Sequence, residues 1–368
     1  MTFQNCLRGS ILTIDLNAIA DNYRILRETA NPTKVAAVVK ANAYGLGADK
    51  IAPLLQNSGC NIFFVATLDE AVQLRSILPH AEIHVFNGIL PGWPKVMIEY
   101  RLRPVLNSLE QVNLWHKHAQ NMQTTLVADL HIDTGMSRLG LPPNEVEKFL
   151  RTPLYSNTIK LDLVLSHLSN ADNADHQMNL EQLNKFQEIT KLFKSKRFSL
   201  AASSGIFLGT NYHFELVRPG IALYGGNPLP GKPNPMAQVI RLRAKILQVR
   251  SVDTPQVVGY GATYKVPGKM RIATVAIGYG DGYLRSLSNT GKAWIETYEI
   301  QVVGRISMDL TTVDVTSVPA HLTQVGAFVD FIGPSQTIDQ IALSAGMIDY
   351  EFMTRLGQRF HREYIGGR

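Results

Sequence analysis

The chain has 368 residues, 45% of them hydrophobic and 18% charged, and carries a net charge of +6, which is a globular composition and excludes a disordered chain. The positive charge is spread thinly, with no basic run interleaved with aromatics, so nucleic acid is not an expected partner. Cys6 and Cys60 have neither metal-like spacing nor the number for a disulfide framework, and neither a signal peptide nor a membrane-length apolar run appears; a cytoplasmic protein is expected.

The opening "SILTIDLNAIADNYRILRE" contains a strand that precedes a regular βα rhythm and that can pair with a second domain. "VAAVV" is followed by the helix "ADKIAPLLQNSG", "NIFFVAT" by "LDEAVQLRSIL", and "EIHVFNG" by "WPKVMIEY". "LRPVLN" precedes "SLEQVNLWHKHAQ", where Ser108 and Glu110 make an N-terminal cap with an acidic first turn. "TLVADLHID" precedes "PPNEVEKFL", "KLDLVLSH" precedes "HQMNLEQLNKFQEITKLF", and "FSLAAS" and "FELVRPGIALYG" complete the series. About eight such units make a TIM-type (β/α)8 barrel within an α/β fold. After the Pro- and Gly-rich "GGNPLPGKPNP" the runs become strand-like, and a short helix is expected near "MTRLGQRFHREY". The expected domains are a barrel over 12–231 and a mostly β domain over 232–368, joined by an N-terminal strand within 1–11.

Barrels of this kind do chemistry at the C-terminal ends of their strands, where Lys40, Arg138, His167, Ser203, Ser204 and Arg218 all fall. Lys40 stands out because it ends a β-branched apolar run, "VAAVVK". A lysine at a strand exit is ordinarily solvated, but in a partly dry mouth its ammonium is destabilised and it becomes nucleophilic. The loops "SSG" (203–205) and "RPGI" (218–221) follow the last two barrel strands and offer backbone N–H groups and hydroxyls suited to a phosphate.

Eight segments in order, "VVKANAYGLG", "HIDTGMSRLG", "SHLSNAD", "VRPGIALYG", "GYGATY", "IGYGDGY", "GRISMD" and "DYEFMTRLGQR", resemble alanine racemase, a fold-type III pyridoxal-phosphate enzyme, across nearly the whole chain. The resemblance implies that Lys40 links covalently to the cofactor, that Tyr44, Ser203, Ser204, Gly220, Ile221 and Tyr350 surround its phosphate end, and that Arg218, with His167 beside it, meets its pyridine nitrogen. A guanidinium there can only donate, which weakens the ring as an electron sink and favours return of the proton to Cα. Tyr260 corresponds to a second base opposite Lys40, and Arg138, Met308, Asp309 and Tyr279 correspond to the substrate pocket, with Tyr279 and Tyr350 limiting side chains to about a methyl group. The same resemblance implies L- to D-alanine interconversion for peptidoglycan and a homodimer with shared sites. It leaves as alternatives a broad-specificity racemase, a decarboxylase of the same fold, or a non-catalytic cofactor carrier. Three positions depart from the family pattern: His131 in place of a carbamylated lysine, Ser203 in place of asparagine and Leu200 in place of histidine.

Overall fold

A computed structural model describes residues 8–193 and 197–367; Cys6 lies outside the described residues. The chain divides into two compact units, one of Ile19–Leu223 with Asn227–Ala237, the other of residues 8–18, Tyr224–Gly226 and 238–367.

The first unit is the barrel. Its first strand is interrupted, as β2 (Lys34–Val35) and β3 (Ala37–Val38), and is followed by β4 (Ile62–Val65), β5 (Glu82–Val85), β6 (Arg103–Leu106), β7 (Leu126–His131), β8 (Ile159–Leu165), β9 (Arg197–Ser199) and β10 (Leu216–Val217). β3 to β9 pair in sequence order, all in parallel, and β10 pairs in parallel with β2. A parallel bridge from Ala202 to Arg218 joins the end of β9 to the end of β10, which closes the ring. Strands covered on both faces need continuous apolar runs, which is why "IFFV" is buried at every position. Six of the eight described helices around them are those the periodicity predicts, and two, Leu16–Ala30 and Pro153–Thr158, are additional. Helix α1 (Leu16–Ala30) follows the N-terminal strand, then come α2 (Ala48–Asn57), α3 (Leu68–Ile77), α4 (Trp93–Glu99), α5 (Leu109–Asn121), α6 (Pro143–Leu150), α7 (Pro153–Thr158) and α8 (Gln177–Thr190). Ser108 caps α5 by accepting from the N–H of Gln111 at 3.4 Å.

In the second unit β11 (Ile240–Val252) is the central strand. It pairs antiparallel with β1 (Ser10–Asp15) and with the strands Met270–Val275 and Phe328–Ile332. The expected division at residue 11/12 cuts through β1, which lies whole in this unit and pairs in parallel with the last strand, His361–Ile365. The helix expected near "MTRLGQRFHREY" covers Asp349–Arg355 only, and "HREYI" is a strand because its residues complete this sheet.

Candidate active site

At the end of β3 the backbone turns the wrong way. Ala41, Asn42, Ala43 and Tyr44 have φ between 52° and 56°, and Gly45 follows at 85°. A left-handed turn of non-glycine residues costs about 1–2 kcal/mol per residue, so something must hold it. Glu70 does. One carboxylate oxygen accepts from Ala41 N–H at 2.6 Å, and the other from Ala66 N–H at 2.8 Å and Thr67 N–H at 3.2 Å. The Asn42 side chain adds a bond from the N–H of Ala48 at 2.8 Å. The turn aims Lys40 into the barrel mouth and buries Tyr44, which is 5% exposed. Its hydroxyl lies where Gly220 leaves room, since a Cβ on Gly220 would sit 2.1 Å from the Tyr44 oxygen.

Around Lys40 the mouth collects basic groups. Burial lowers the Lys40 pKa, and Arg138 lowers it further while Glu70 opposes. Burial and then Arg218 push His167 down to about 3 and His131 down to about 4, so both imidazoles are neutral. The Asn107 amide donates to Phe86 O and Val105 O, both at 2.8 Å, so its oxygen faces His131 and Nδ1 of that ring donates to it at 2.8 Å. His131 Nε2 is therefore an acceptor. Arg218 is 2% exposed and donates to Ser166 O at 2.6 Å and to Ser199 Oγ. Ser203, also buried, accepts from the N–H groups of Gly220 at 3.0 Å and Ala222 at 3.3 Å, which ties the "SSG" and "RPGI" loops together. Ser204 opens a short 3-10 helix at this place, and Ile221 opens another. Leu200 is fully buried and contributes only its carbonyl, to Arg218 at 3.5 Å.

The β unit holds the other expected residues. Tyr260 is 70% exposed on a turn between Gly259 and Gly261, whose φ values are 76° and 69°. Both glycines pack on Arg305, a residue the motifs did not single out: added Cβ atoms would meet its backbone N at 2.9 Å and its Nη1 at 2.8 Å. Tyr279 N–H donates to Ser307 O at 3.0 Å, and Gly280 N–H to Met308 O at 2.8 Å, so Tyr279, Met308 and Asp309 belong to one loop cluster. Asp309 pairs with Arg359 at 2.7 Å, which also reaches Asp281 at 2.9 Å. Tyr350 lies in the first turn of the Asp349–Arg355 helix.

A neutral-leaning lysine, a tyrosine hydroxyl against a bare glycine and an excess of cationic donors suit a ligand that has both an aldehyde and a phosphate. The comparisons with known proteins give the family. Family models described as alanine racemase N-terminal domain and C-terminal domain match residues 14–228 and 239–364. The sequence is 46% identical over 361 residues to an alanine racemase of Rhodospirillum rubrum, covering 98% of this chain and 96% of that one. It is 45% identical over 355 residues to a catabolic alanine racemase of Agrobacterium fabrum, covering 96% and 92%. Its fold is similar to a crystal structure of alanine racemase from Bartonella henselae with covalently bound pyridoxal phosphate, at a TM-score of 0.94 and 39% identity, over 97% of this chain and 99% of that one. A biosynthetic alanine racemase from Pseudomonas aeruginosa matches at a TM-score of 0.91 and 30% identity, over 98% and 100%.

Proposed function

This chain belongs to the alanine racemase family, and from that premise we propose that Lys40 and Tyr260 are the two bases of its reaction. The enzyme interconverts L-alanine and D-alanine and uses pyridoxal phosphate. When bound, the cofactor supplies a conjugated system that takes up the electron pair released as the Cα proton leaves. Everything else is work for the protein. Lys40, already pushed toward its neutral form by burial and by Arg138, takes or returns the proton on one face of Cα. Tyr260 serves the other face. Tyr44, Ser204, Gly220 and Ile221 hold the phosphate, with Ser203 joining their loops and Tyr350 adding a hydroxyl. Arg218 would donate to the ring nitrogen, and His167, kept neutral, would add no charge there. Arg138 takes the substrate carboxylate, and Met308, Asp309 and Tyr279 close the end where the alanine methyl group sits.

The observation that carries the two-chain form of this site is exposure. Tyr260, Met308 and Tyr279 are 70%, 54% and 43% exposed in a single chain, an unusual outlay of large apolar surface unless a second copy covers it. In a symmetric dimer, Lys40 of one protomer then meets Tyr260 of its partner. A cytoplasmic homodimer that supplies D-alanine for peptidoglycan is the wider reading; the family resemblance supports the dimer, and the similar enzymes include both a catabolic and a biosynthetic one. The test is complementation: inactive Lys40→Ala and Tyr260→Phe proteins are unfolded together and refolded. Half the dimers are mixed and each mixed dimer has one intact site of two, so activity returns to about a quarter of wild type. Mixed dimers that form and stay inactive place both bases in one chain.

A further inference from the structure

Behind Arg218 the barrel interior holds charged side chains that the site's expected residues do not include. Arg218 is nearly fully buried, yet its guanidinium donates only to neutral oxygens, those of Ser199, Ser166 and Leu200. Among the described residues no ion pair reaches it. A buried cation without a carboxylate is costly, so the charge must be offset at a distance. On β7, Asp129 is two residues before His131 and so shares its inward face, one pleat further from the mouth. Asp129 is 0% exposed, with one oxygen on Nδ1 of His84 and the other without a hydrogen-bond partner. His84 is also 0% exposed, stacks on Phe64 with ring centroids 4.4 Å apart, and reaches Glu82 with Nε2 at 2.8 Å.

We propose that Asp129, held by His84, is a positioning residue for racemisation: its carboxylate is the remote counter-charge that fixes Arg218 and sets the potential at the cofactor's ring nitrogen. This rests on the placing of Arg218 beside that nitrogen. The groups that meet Arg218 from the mouth are His131 and His167, both neutral, with Lys40 and Arg138 beyond them; the one carboxylate there, Asp133, faces His131 and already accepts from the N–H groups of Gly135, Met136 and Ser137. From the other side come Asp129 and His84, and beyond them Glu82 and Asp162, which Arg103 and Arg197 neutralise between them. Burial lowers the Arg218 pKa to about 9, and Asp129 is the group that opposes the fall. Both ring nitrogens of His84 face carboxylates, Nδ1 that of Asp129 and Nε2 that of Glu82, so both must donate and the ring is an imidazolium; Asp129 and Glu82 accordingly raise its pKa against the effect of burial.

That arrangement gives opposite signs to two substitutions. Asp129→Asn removes a negative charge and makes the site more positive; His84→Gln removes a positive one and frees the Asp129 charge to act on Arg218. The visible absorption of the bound cofactor is titrated in each holoenzyme, because a more positive site releases the cofactor-linked proton at lower pH. The midpoint falls by about one pH unit in Asp129→Asn and rises by about half a unit in His84→Gln. A purely structural role would move both the same way or neither, and either result overturns the proposal. If Asp129→Asn is not recovered folded, the direction of the His84→Gln shift decides alone. Arg218→Gln separates the premise from the proposal: an unmoved midpoint there means Arg218 is not at the nitrogen. A midpoint that moves there but not in Asp129→Asn means only the remote counter-charge is wrong.

Discussion

Replacing Gly220 by alanine should dislodge Tyr44 and, with it, the cofactor phosphate. The added Cβ would lie 2.1 Å from the Tyr44 oxygen and 2.9 Å from Cζ, against an ordinary contact of about 3.5 Å. Tyr44 cannot swing aside cheaply, since it is buried and closes the left-handed turn pinned by Glu70. Overpacking of this kind costs about 1–3 kcal/mol, and losing the hydroxyl's bond to a phosphate dianion costs about 1.5–3 kcal/mol of binding. The expected result is a roughly 10- to 100-fold rise in the cofactor dissociation constant, measured by titrating apoenzyme. Tyr44→Phe removes the atom that clashes first, so the two changes must couple: Gly220→Ala in the Tyr44→Phe background should lose only a few-fold more affinity. If Gly220→Ala costs the same in both backgrounds, the close approach of these two residues is not what shapes the phosphate end.

Glu70→Gln keeps the shape of the side chain but weakens three bonds to backbone N–H groups, so hydrogen exchange at Ala41 and Thr67 should rise by about tenfold while that of the core strands holds; unchanged exchange at Ala41 would show that the turn stands without it. Asp349, whose carboxyl burial and the nearby Asp339 push up to about 7, prefers its proton in the folded protein. The folded pKa is above the unfolded one, so this group subtracts stability as pH rises from about 4 to about 7. Asp349→Asn should therefore raise the thermal midpoint at pH 8 and leave it nearly unchanged at pH 4, and an equal gain at both pH values refutes the carboxyl–carboxyl contact.

Much of this protein is written in short motifs. The βα rhythm places the barrel strands, and strand-end positions alone gather Lys40, Arg138, His167, Ser203 and Arg218 at one mouth. What the sequence hides is whatever depends on several distant segments at once. Four left-handed residues after Lys40 contain only "ANAY", which carries no glycine to announce the conformation; the reason for it, Glu70, is on another helix. Asp129 and His84 are 45 residues apart on different strands. A signal existed, because Asp129 interrupts the apolar run "TLVADLH" at a position whose neighbours are buried, and an acid there needs a partner. Its partner could not be named without the barrel's register. Tyr260 and Arg305 come together for a similar reason, through glycines that only tight packing makes necessary.

β1 and the final strand pair Ile11 with His361 and Thr13 with Glu363, and the side chains of the second pair also bond across 350 positions of chain. Of the described strands, these two are therefore the earliest and latest to be synthesised, with every described barrel strand between them. At synthesis rates of about 5–20 residues per second, β1 waits roughly half a minute for its parallel neighbour, an exposed edge in search of a partner. The barrel can be complete before that sheet is, so Tyr260 and the rest of the β unit are the late-maturing half of the enzyme. A nascent chain stalled before residue 361 should hold a protected barrel with an unprotected β1, and a slowed codon near the end should lengthen the interval in which β1 is open to chaperones or to another copy.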